Sequence, residues 1–190
     1  MRVISDFHIH SRFSRACSKE LTLPNLEAWA KAKGIDLIGT SDFTHPQWRA
    51  ELESQLEPAE PGLFRLRKEI AVLGGAGAPQ APDSRDIRFI LTSELSCIYK
   101  KGGKTRRLHL LVFAPSLAAV RRIVAALDVR GVNLRSDGRP ILGMDAKDIL
   151  KIAIDADPSC MVVPAHAWTP WFSVFGSQSG FDSLEECFEE

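Results

Sequence analysis

The stretch Asp6-Phe7-His8-Ile9-His10-Ser11 directly follows the first apolar run of the chain, residues 1–4. Side chains alternate between the two faces of an extended strand, so the two histidines are predicted to point one way, and Phe7 and Ile9 the other. Imidazole nitrogen is the commonest protein ligand for transition metals, and a His-x-His pair at a strand's end can bind one ion with both rings. The alternative is a pair of surface histidines on an edge strand.

Every other histidine also lies at or beside a short apolar run that is typical of a strand. These runs are 35–41, 87–93, 107–113 and 160–165, and the candidate ligands at them are Asp42, His45, Glu94, His109 and His166. A single histidine near apolar residues is more often part of the core than a ligand. Because all five histidines lie at strand-like runs, a shared metal site is favoured over scattered core histidines.

Length and composition are those of one globular domain, residues 1–190. Lys+Arg and Asp+Glu both total 24, so the net charge indicates no partner and any nucleic-acid surface must be local. No apolar run approaches the length of a membrane span, which predicts a cytoplasmic protein without a membrane partner. The four cysteines are far apart, so neither a zinc ribbon nor disulfides are predicted.

Helix signals alternate with the strand-like runs and predict an α/β fold. Helices are predicted at 23–34, 47–56, 63–73, 116–127, 146–157 and 182–190. The first helix and the runs that flank it predict a parallel strand–helix–strand unit. A Gly102-Gly103 turn predicts a hairpin of 87–98 with 104–113. Residues 74–86 are predicted to be a flexible insertion loop.

Positive charge is concentrated in that hairpin turn and in two loops. The turn carries Lys100, Lys101, Lys104, Arg106 and Arg107, and the loops add Arg12, Arg15 and Arg135. A solvated hairpin tip is the simpler interpretation, but beside a metal site the same charges can hold a phosphate backbone. Trp168 and Trp171, just after His166, can stack on bases or simply shield the site from solvent.

The repeated order of strand, ligand and helix predicts that the ligands converge. In a parallel barrel all the carboxyl ends of the strands meet on one face, where such enzymes keep their active sites. The candidate ligands are too many for one tetrahedral ion. Two or three ions bridged by carboxylates are therefore expected, an arrangement that clamps attacking and leaving oxygens in phosphoryl transfer.

The chain resembles the polymerase-and-histidinol-phosphatase (PHP) superfamily of phosphoesterases, and within it the endonuclease Q family. The motifs that carry the superfamily resemblance lie at 6–11, 41–42, 94, 109 and 164–166, and the narrower one rests on 10–16, 39–46, 136–143 and 164–172. The resemblance implies a distorted, seven-stranded β/α barrel with a trinuclear metal centre. It also implies a DNA-repair nuclease that nicks beside deaminated bases.

By this resemblance His8, His10 and Glu94 would bind one metal, and Glu94 would bridge to a second held by His109 and His166. The third site departs from the superfamily pattern. Phe43 stands where a histidine is usual, so His45 is the candidate substitute, and the last Asp-x-His motif is absent. The chain is therefore expected to be an N-terminal fragment with a barrel incomplete at its C-terminus.

The leading hypothesis is a metal-dependent DNA endonuclease of repair, which acts on damaged duplex or single-stranded DNA. The expected cofactors are divalent ions, zinc in the first place and magnesium or manganese as alternatives, at two to three per full site. A phosphatase of small phosphomonoesters and a non-catalytic, metal-stabilised DNA-binding domain are the competing hypotheses. The sequence predicts no oligomeric state.

Overall fold

The computed structural model describes residues 2–73, 79 and 86–189. Its strands are β1 (Ser5–Asp6), β2 (Leu37–Gly39), β3 (Leu56–Pro58), β4 (Phe64–Leu66), β5 (Arg88–Lys101), β6 (Lys104–Ala114), β7 (Ile141–Leu142) and β8 (Met161–Pro164). Its helices are α1 (Leu23–Lys33), α2 (Pro46–Gln55), α3 (Lys68–Leu73), α4 (Leu117–Val129), α5 (Ala146–Ala156) and α6 (Leu184–Phe188). The predicted insertion loop 74–86 lies outside the described residues, except for Pro79 and Asp86.

The eight strands of the described residues form one mixed sheet organised around β5. β5 is 14 residues long; β2 pairs in parallel with its first residues, and β7 pairs in parallel with residues beyond its midpoint. β6 runs antiparallel along β5 from Leu91 to Lys101, and β8 runs antiparallel to β6. Since twisted strands with different partners along their length curve the sheet, the result is a curled half-barrel. The predicted α/β class is confirmed at this level.

The first strand–helix–strand unit forms as predicted. β1 and β2 pair in parallel, and α1 connects them. Pro24 lies in the first turn of α1, where its missing N–H costs no hydrogen bond. Gly34 ends the helix with φ 73°, a left-handed conformation that glycine adopts without strain.

Residues 56–66 contain an antiparallel strand pair where the sequence predicted the start of a helix. β4 pairs with both β3 and β5, and only α3 is helical within the predicted 63–73. Gly62, with φ 79°, lies in the turn that joins the two strands. The helix prediction is wrong here because Phe64 and Leu66 are buried in the core, and this burial outweighs local helix propensity.

The two later helices are confirmed together with their caps. Ser116 Oγ accepts a hydrogen bond from Ala119 N at the start of α4, and Asp145 Oδ1 accepts one from Lys147 N at the start of α5. α4 and α5 pack against each other, with their apolar faces in the core. None of the described helices is both long and apolar enough to cross a membrane.

Candidate metal centre

Glu94 and His109 lie on the long antiparallel pair of β5 and β6. Glu94 faces Leu111, and His109 faces Ser96. Facing residues share one side of a sheet, so Glu94 and His109 are diagonal neighbours on the same side. The expectation that every ligand sits at the carboxyl end of a parallel strand is wrong for these two, because both lie within strands that run in opposite directions.

The other three histidines at this site come from segments that leave a strand. β1 ends at Asp6, earlier than predicted, so His8 and His10 lie just beyond the strand. His166 follows β8, and its backbone has φ 34°, which is uncommon for a residue other than glycine. Ala165 N donates to His109 O at 2.9 Å and so holds this segment against β6.

Four imidazoles surround the carboxylate of Glu94, which is only 1% exposed. Its Oε1 lies 2.8 Å from His109 Nδ1, 3.3 Å from His8 Nε2 and 3.5 Å from His166 Nε2. Its Oε2 lies 3.3 Å from His10 Nε2. The structure thus brings together five of the predicted ligands from both ends of the chain.

These donor atoms form two groups that share Glu94: one contains His8 and His10, and the other contains His109 and His166. Within each group the ligand atoms lie within 4.8 Å of one another. Among the described residues no hydrogen bond of good geometry reaches the buried Glu94 Oε1, and the ring nitrogens of His109 and His166 face each other at 3.1 Å. A cation would satisfy the carboxylate oxygen and both nitrogens, and three protein ligands with a further open position are typical of catalytic zinc. Each group could therefore hold a metal ion.

Hydrogen bonds on the far side of two rings set their tautomers. His10 Nδ1 lies 3.4 Å from Ser14 Oγ, which donates its own proton to Asp42. His166 Nδ1 lies 3.1 Å from Thr169 Oγ1, whose proton goes to backbone carbonyls. Each hydroxyl must then accept from Nδ1–H, which leaves the Nε2 lone pair directed towards Glu94.

Protonation states suit a cation at Glu94 and His166, whereas His8 must release a proton to bind one. Burial alone would raise the pKa of Glu94, but the facing imidazoles of His109 and His8 outweigh it and hold that pKa well below its usual range. Burial, and then the neighbouring His109, lower the pKa of His166, whereas Glu94 raises the pKa of His8. Glu94 is therefore ionised and His166 neutral near pH 7, as metal ligation requires.

Asp42, also predicted as a ligand, lies at the centre of a separate hydrogen-bond network. Its Oδ2 accepts from Ser11 N at 2.8 Å, Ser11 Oγ at 2.6 Å and Ser14 Oγ at 2.8 Å, and its Oδ1 accepts from Ser41 Oγ at 2.9 Å. Oδ1 also lies 3.5 Å from His10 Nδ1. Burial would raise the pKa of Asp42, but the bonds from His10 and Ser11 outweigh it and lower the pKa. Asp42 belongs to neither group of converging ligand atoms among the described residues.

The backbone around Asp42 is held in uncommon conformations. Ser41 and Asp42 have φ of 54° and 48°, a left-handed conformation that costs about 1–3 kcal/mol per residue unless surrounding contacts impose it. Gly138 packs so closely on the Asp42 carboxylate that a Cβ there would overlap Oδ2. Gly138 N also donates to Phe13 O at 3.0 Å. The loop 130–140 is thereby fixed against the metal centre.

His45 lies apart from the metal groups as well. Its ring stacks on Phe13 with centroids 4.3 Å apart, and its buried Nδ1 has no hydrogen-bond partner among the described residues. Burial lowers the pKa of His45. Phe43, at the position where the resemblance to the PHP superfamily would predict a histidine, is fully buried in the core. That Asp42 and His45 bind a third ion remains a prediction.

Arg139 is a functional candidate that the sequence did not single out. Its Nη1 lies 3.3 Å from Glu94 Oε2, and the side chain is 37% exposed. Arg139 N donates to Asp137 Oδ1, which fixes the turn. The sequence held two signals for it, its place in the arginine-bearing loop 130–140 and in the 136–143 motif of the family resemblance. The structure puts its guanidinium at the edge of the histidine cluster.

The predicted DNA contacts in the hairpin fall into two groups. Lys100 and Lys104 are exposed, and Arg107 is half-buried. Lys101 Nζ instead lies 2.8 Å from Glu189 Oε1, and Arg106 is buried against Phe181 and bonded to Glu186. Lys101 and Arg106 therefore hold the C-terminal segment against the hairpin.

The remaining predicted DNA contacts lie on the surface around the metal centre. Arg12 is half-buried and paired with Glu51, whereas the Arg15 side chain is 84% exposed, 3.7 Å from Asp137. Trp168 is 81% exposed and Trp171 is 52% exposed, so neither belongs to the core. Arg135 is exposed in the loop that precedes Arg139.

Solved structures with this architecture are those of a lesion-specific DNA nuclease. PfuEndoQ, the lesion-specific endonuclease of Pyrococcus furiosus, superposes with a TM-score of 0.76 and 31% sequence identity over 99% of this chain. A complex of endonuclease Q with a 27-mer duplex that carries an abasic lesion at the active site gives 0.77 and 33%. The chain resembles endonuclease Q over nearly its whole length.

Two sequence relatives extend the comparison beyond endonuclease Q structures. YqxK of Bacillus subtilis is 30% identical over 196 residues, and MJ0043 of Methanocaldococcus jannaschii is 27% identical over 165 residues. The chain spans 40% of each endonuclease Q chain, 46% of YqxK and 16% of MJ0043. No family model matches the chain.

Proposed function

We propose that the chain is the metal-binding part of a DNA endonuclease that nicks beside deaminated bases, as a PHP-type phosphodiesterase. The observation that carries the proposal is the convergence of four imidazoles on the buried Glu94 in a fold that matches a lesion-specific endonuclease. Histidines and a bridging carboxylate suit zinc, and magnesium or manganese remain alternatives. The two groups around Glu94 support two ions, and a third would need Asp42 or His45.

The chain's own residues supply binding and orientation. His8 and His10 would hold one ion, His109 and His166 the other, and Glu94 would bridge the two. A bound divalent ion supplies Lewis-acid chemistry at a phosphoryl group. The Arg139 guanidinium, at the edge of this cluster, can donate hydrogen bonds to phosphate oxygens, where negative charge develops during phosphoryl transfer.

Nucleic-acid binding is proposed for basic residues that are exposed or half-buried, in the loops and at the hairpin tip. They are Arg12, Arg15, Arg135, Lys100, Lys104 and Arg107. Lys100 lies six residues beyond Glu94 along β5, which is about 20 Å in an extended strand. The hairpin tip can therefore contact phosphates several nucleotides from the metal centre but not the reacting group itself. Lys101 and Arg106 are left out, since their side chains hold the C-terminal segment.

The exposed tryptophans support recognition of an unpaired base. Enzymes that act beside a damaged base often extrude it from the helix, and aromatic side chains then stack on it. Trp168 and Trp171 follow His166 within five residues and are exposed, so they can reach a base close to the metal centre.

A nicking assay tests the proposal. The full gene product is incubated with zinc, magnesium or manganese and a duplex that carries one deoxyinosine or deoxyuridine, with an undamaged duplex as the substrate control. We expect a nick only at the lesion, its loss in His8→Ala, and normal activity in Arg121→Ala, since Arg121 only pairs with Glu53 on the surface. Tight metal binding without a nick, or faster hydrolysis of a small phosphate ester, would contradict the endonuclease.

A further inference from the structure

A polar pocket lies between α2, α4 and the loop 130–140. Its volume is about 160 Å³, and the basic side chains that line it are Arg49 and Arg135. Pro46, at the start of α2, and Asn133 also line it. Most of its exposed lining is polar. It is therefore suited to a small polar or charged group and not to an apolar ligand.

Within the part of the chain that the structure describes, Arg49 contributes a positive charge and an unpaired guanidinium nitrogen to the lining of this pocket. Arg49 projects from the first turn of α2, and its Nη1 is buried without a hydrogen-bond partner among the described residues. Among the described residues Arg49 also forms no ion pair, although most arginines of this chain do. A buried guanidinium nitrogen without a partner is costly, because the charge has lost water and gained no acceptor. Arg49 as a whole is only half-buried and lines the pocket, so an acceptor that enters the pocket can bond to the accessible part of its guanidinium.

The surroundings favour an anion. The positive end of the α2 dipole adjoins the pocket, and no side chain caps this helix start. The exposed Arg135 adds a second guanidinium. The pocket also contains one carboxylate, Asp128, but it is exposed at the end of α4, where solvent screens its charge.

The loop around Arg135 is ordered and leads directly to the metal centre. Asn133 Oδ1 accepts from Arg135 N, and Asn133 O accepts from Ser136 Oγ, so the turn is held by its own side chains. Arg139, four residues further on, contacts Glu94. Four residues span at most about 14 Å. This limit applies to the backbone, and the two arginine side chains extend beyond it, so the separation is on the scale of a few nucleotides of one strand.

We propose that the pocket of Arg49, Asn133 and Arg135 binds a phosphate oxyanion. In a complex with DNA this oxyanion is a backbone phosphodiester a few nucleotides from the reacting group. That second statement rests on the proposed nuclease function, whereas the affinity for phosphate itself does not. Arginine is suited to this role because its planar fork matches two phosphate oxygens at once.

The first arm of the test uses inorganic phosphate and metal-free protein. Arginine side-chain NMR signals are followed during the titration, and the Arg49 signal is assigned by its loss in Arg49→Gln. We expect the Arg49 signal to shift, and phosphate affinity at this site to fall about tenfold in Arg49→Gln, and less in the exposed Arg135→Gln. Arg121→Gln, which removes a surface arginine outside the pocket, serves as the matched control.

Arg139→Gln is titrated alongside because the histidine cluster is a second place for an anion. If only Arg139→Gln weakens phosphate binding, or if Arg49→Gln and Arg135→Gln both bind as the unmodified protein does, the proposal is overturned. Arg135→Gln keeps this arm informative if Arg49→Gln fails to fold, since Arg135 is exposed.

The second arm uses undamaged duplex DNA across a range of salt concentrations. We expect Arg49→Gln to weaken binding for all sequences alike and to reduce the salt slope by about one, with unchanged metal content. Unchanged DNA binding together with reduced phosphate binding would overturn the DNA assignment and leave free phosphate as the ligand. If the unmodified protein binds no DNA, the nuclease proposal fails, and the phosphate arm still decides the pocket.

Discussion

Two buried carboxylates lie on either side of the His10 ring, and their surroundings differ completely. Asp42 accepts hydrogen bonds from the hydroxyls of Ser11, Ser14 and Ser41. Glu94 faces the nitrogens of four imidazoles, and among the described residues its Oε1 receives no hydrogen bond of good geometry. Hydroxyls complete the bonding of an anion, whereas converging imidazoles are ligands of a cation.

This difference separates two roles that the sequence could not distinguish. Glu94 and the histidines are arranged so that they could hold a metal ion together. Asp42 is arranged to hold the first histidine motif, because its oxygens fix the backbone at Ser11 and its Oδ1 approaches His10 Nδ1. We propose that Asp42 acts through His10, as carboxylates behind metal-binding histidines often do.

The largest effect is expected from Glu94→Gln. The change keeps the shape of the side chain but removes the charge that both ligand groups share, so zinc affinity should fall at least about a hundredfold at both sites. Zinc titration of the metal-free protein with a competing chelator measures this. Glu53→Gln, on the surface, is the matched control and should bind as the unmodified protein does. Retention of both ions by Glu94→Gln would show that the two ligand groups do not depend on the charge of Glu94.

A smaller and more selective effect is expected from Asp42→Asn. The amide can no longer accept from all the donors around it, which should lower the free energy of unfolding by about 2 kcal/mol. Zinc affinity should fall about 10–100-fold at the His8–His10 group. The His109–His166 group should change little, because Asp42 contacts neither ring.

Urea unfolding and zinc titration measure the two effects, with the exposed Asp155→Asn as control. Equal loss at both metal sites would show that Asp42 does not act through His10.

Acid should erase the stability difference between the unmodified protein and Asp42→Asn. The folded-state pKa of Asp42 lies below the ordinary value of 3.8, so its contribution is fully present above that value and is lost as pH falls through the folded pKa. Urea unfolding of the metal-free proteins should show a constant difference between pH 5 and 6 and a shrinking one below pH about 4. A difference that grows in acid would contradict the assignment.

The smallest effect is expected from His45→Gln. His45 stacks on Phe13 and lies outside both ligand groups among the described residues, so the two ions at Glu94 should bind unchanged. Metal content after dialysis measures this, with His109→Gln as the comparison that should lose metal. Loss of one of these two ions in His45→Gln would place His45 in the metal site after all.

Local signals in the sequence predicted much of the fold. Pro24 and Gly34 marked α1, Ser116 marked α4, and Gly102-Gly103 marked the hairpin, because each acts within a few residues. β3, β4 and β7 were missed, since strands of two or three residues show no period and form through distant partners. The helix predicted at 63–73 is shorter than expected, because burial of Phe64 and Leu66 places its first residues in β4 and only α3 is helical.

The site was predicted in part. The histidines and Glu94 could be grouped because each accompanies an apolar run. The hydroxyls around Asp42, the contact of Arg139 with Glu94, and the engagement of Lys101 with Glu189 are contacts between residues far apart in sequence. Lys100 and Lys101 look alike in sequence, but neighbouring residues of a strand face opposite sides, and only Lys100 is exposed.

Anomalous diffraction from zinc-soaked crystals tests the central claim most directly, because it locates the ions without reference to activity. We expect two anomalous peaks about 3.5–4 Å apart, on either side of the Glu94 carboxylate. One should lie beside His8 and His10 and the other beside His109 and His166. Peaks at Asp42 and His45 in place of Glu94, or no peak at the cluster in saturating zinc, would contradict it.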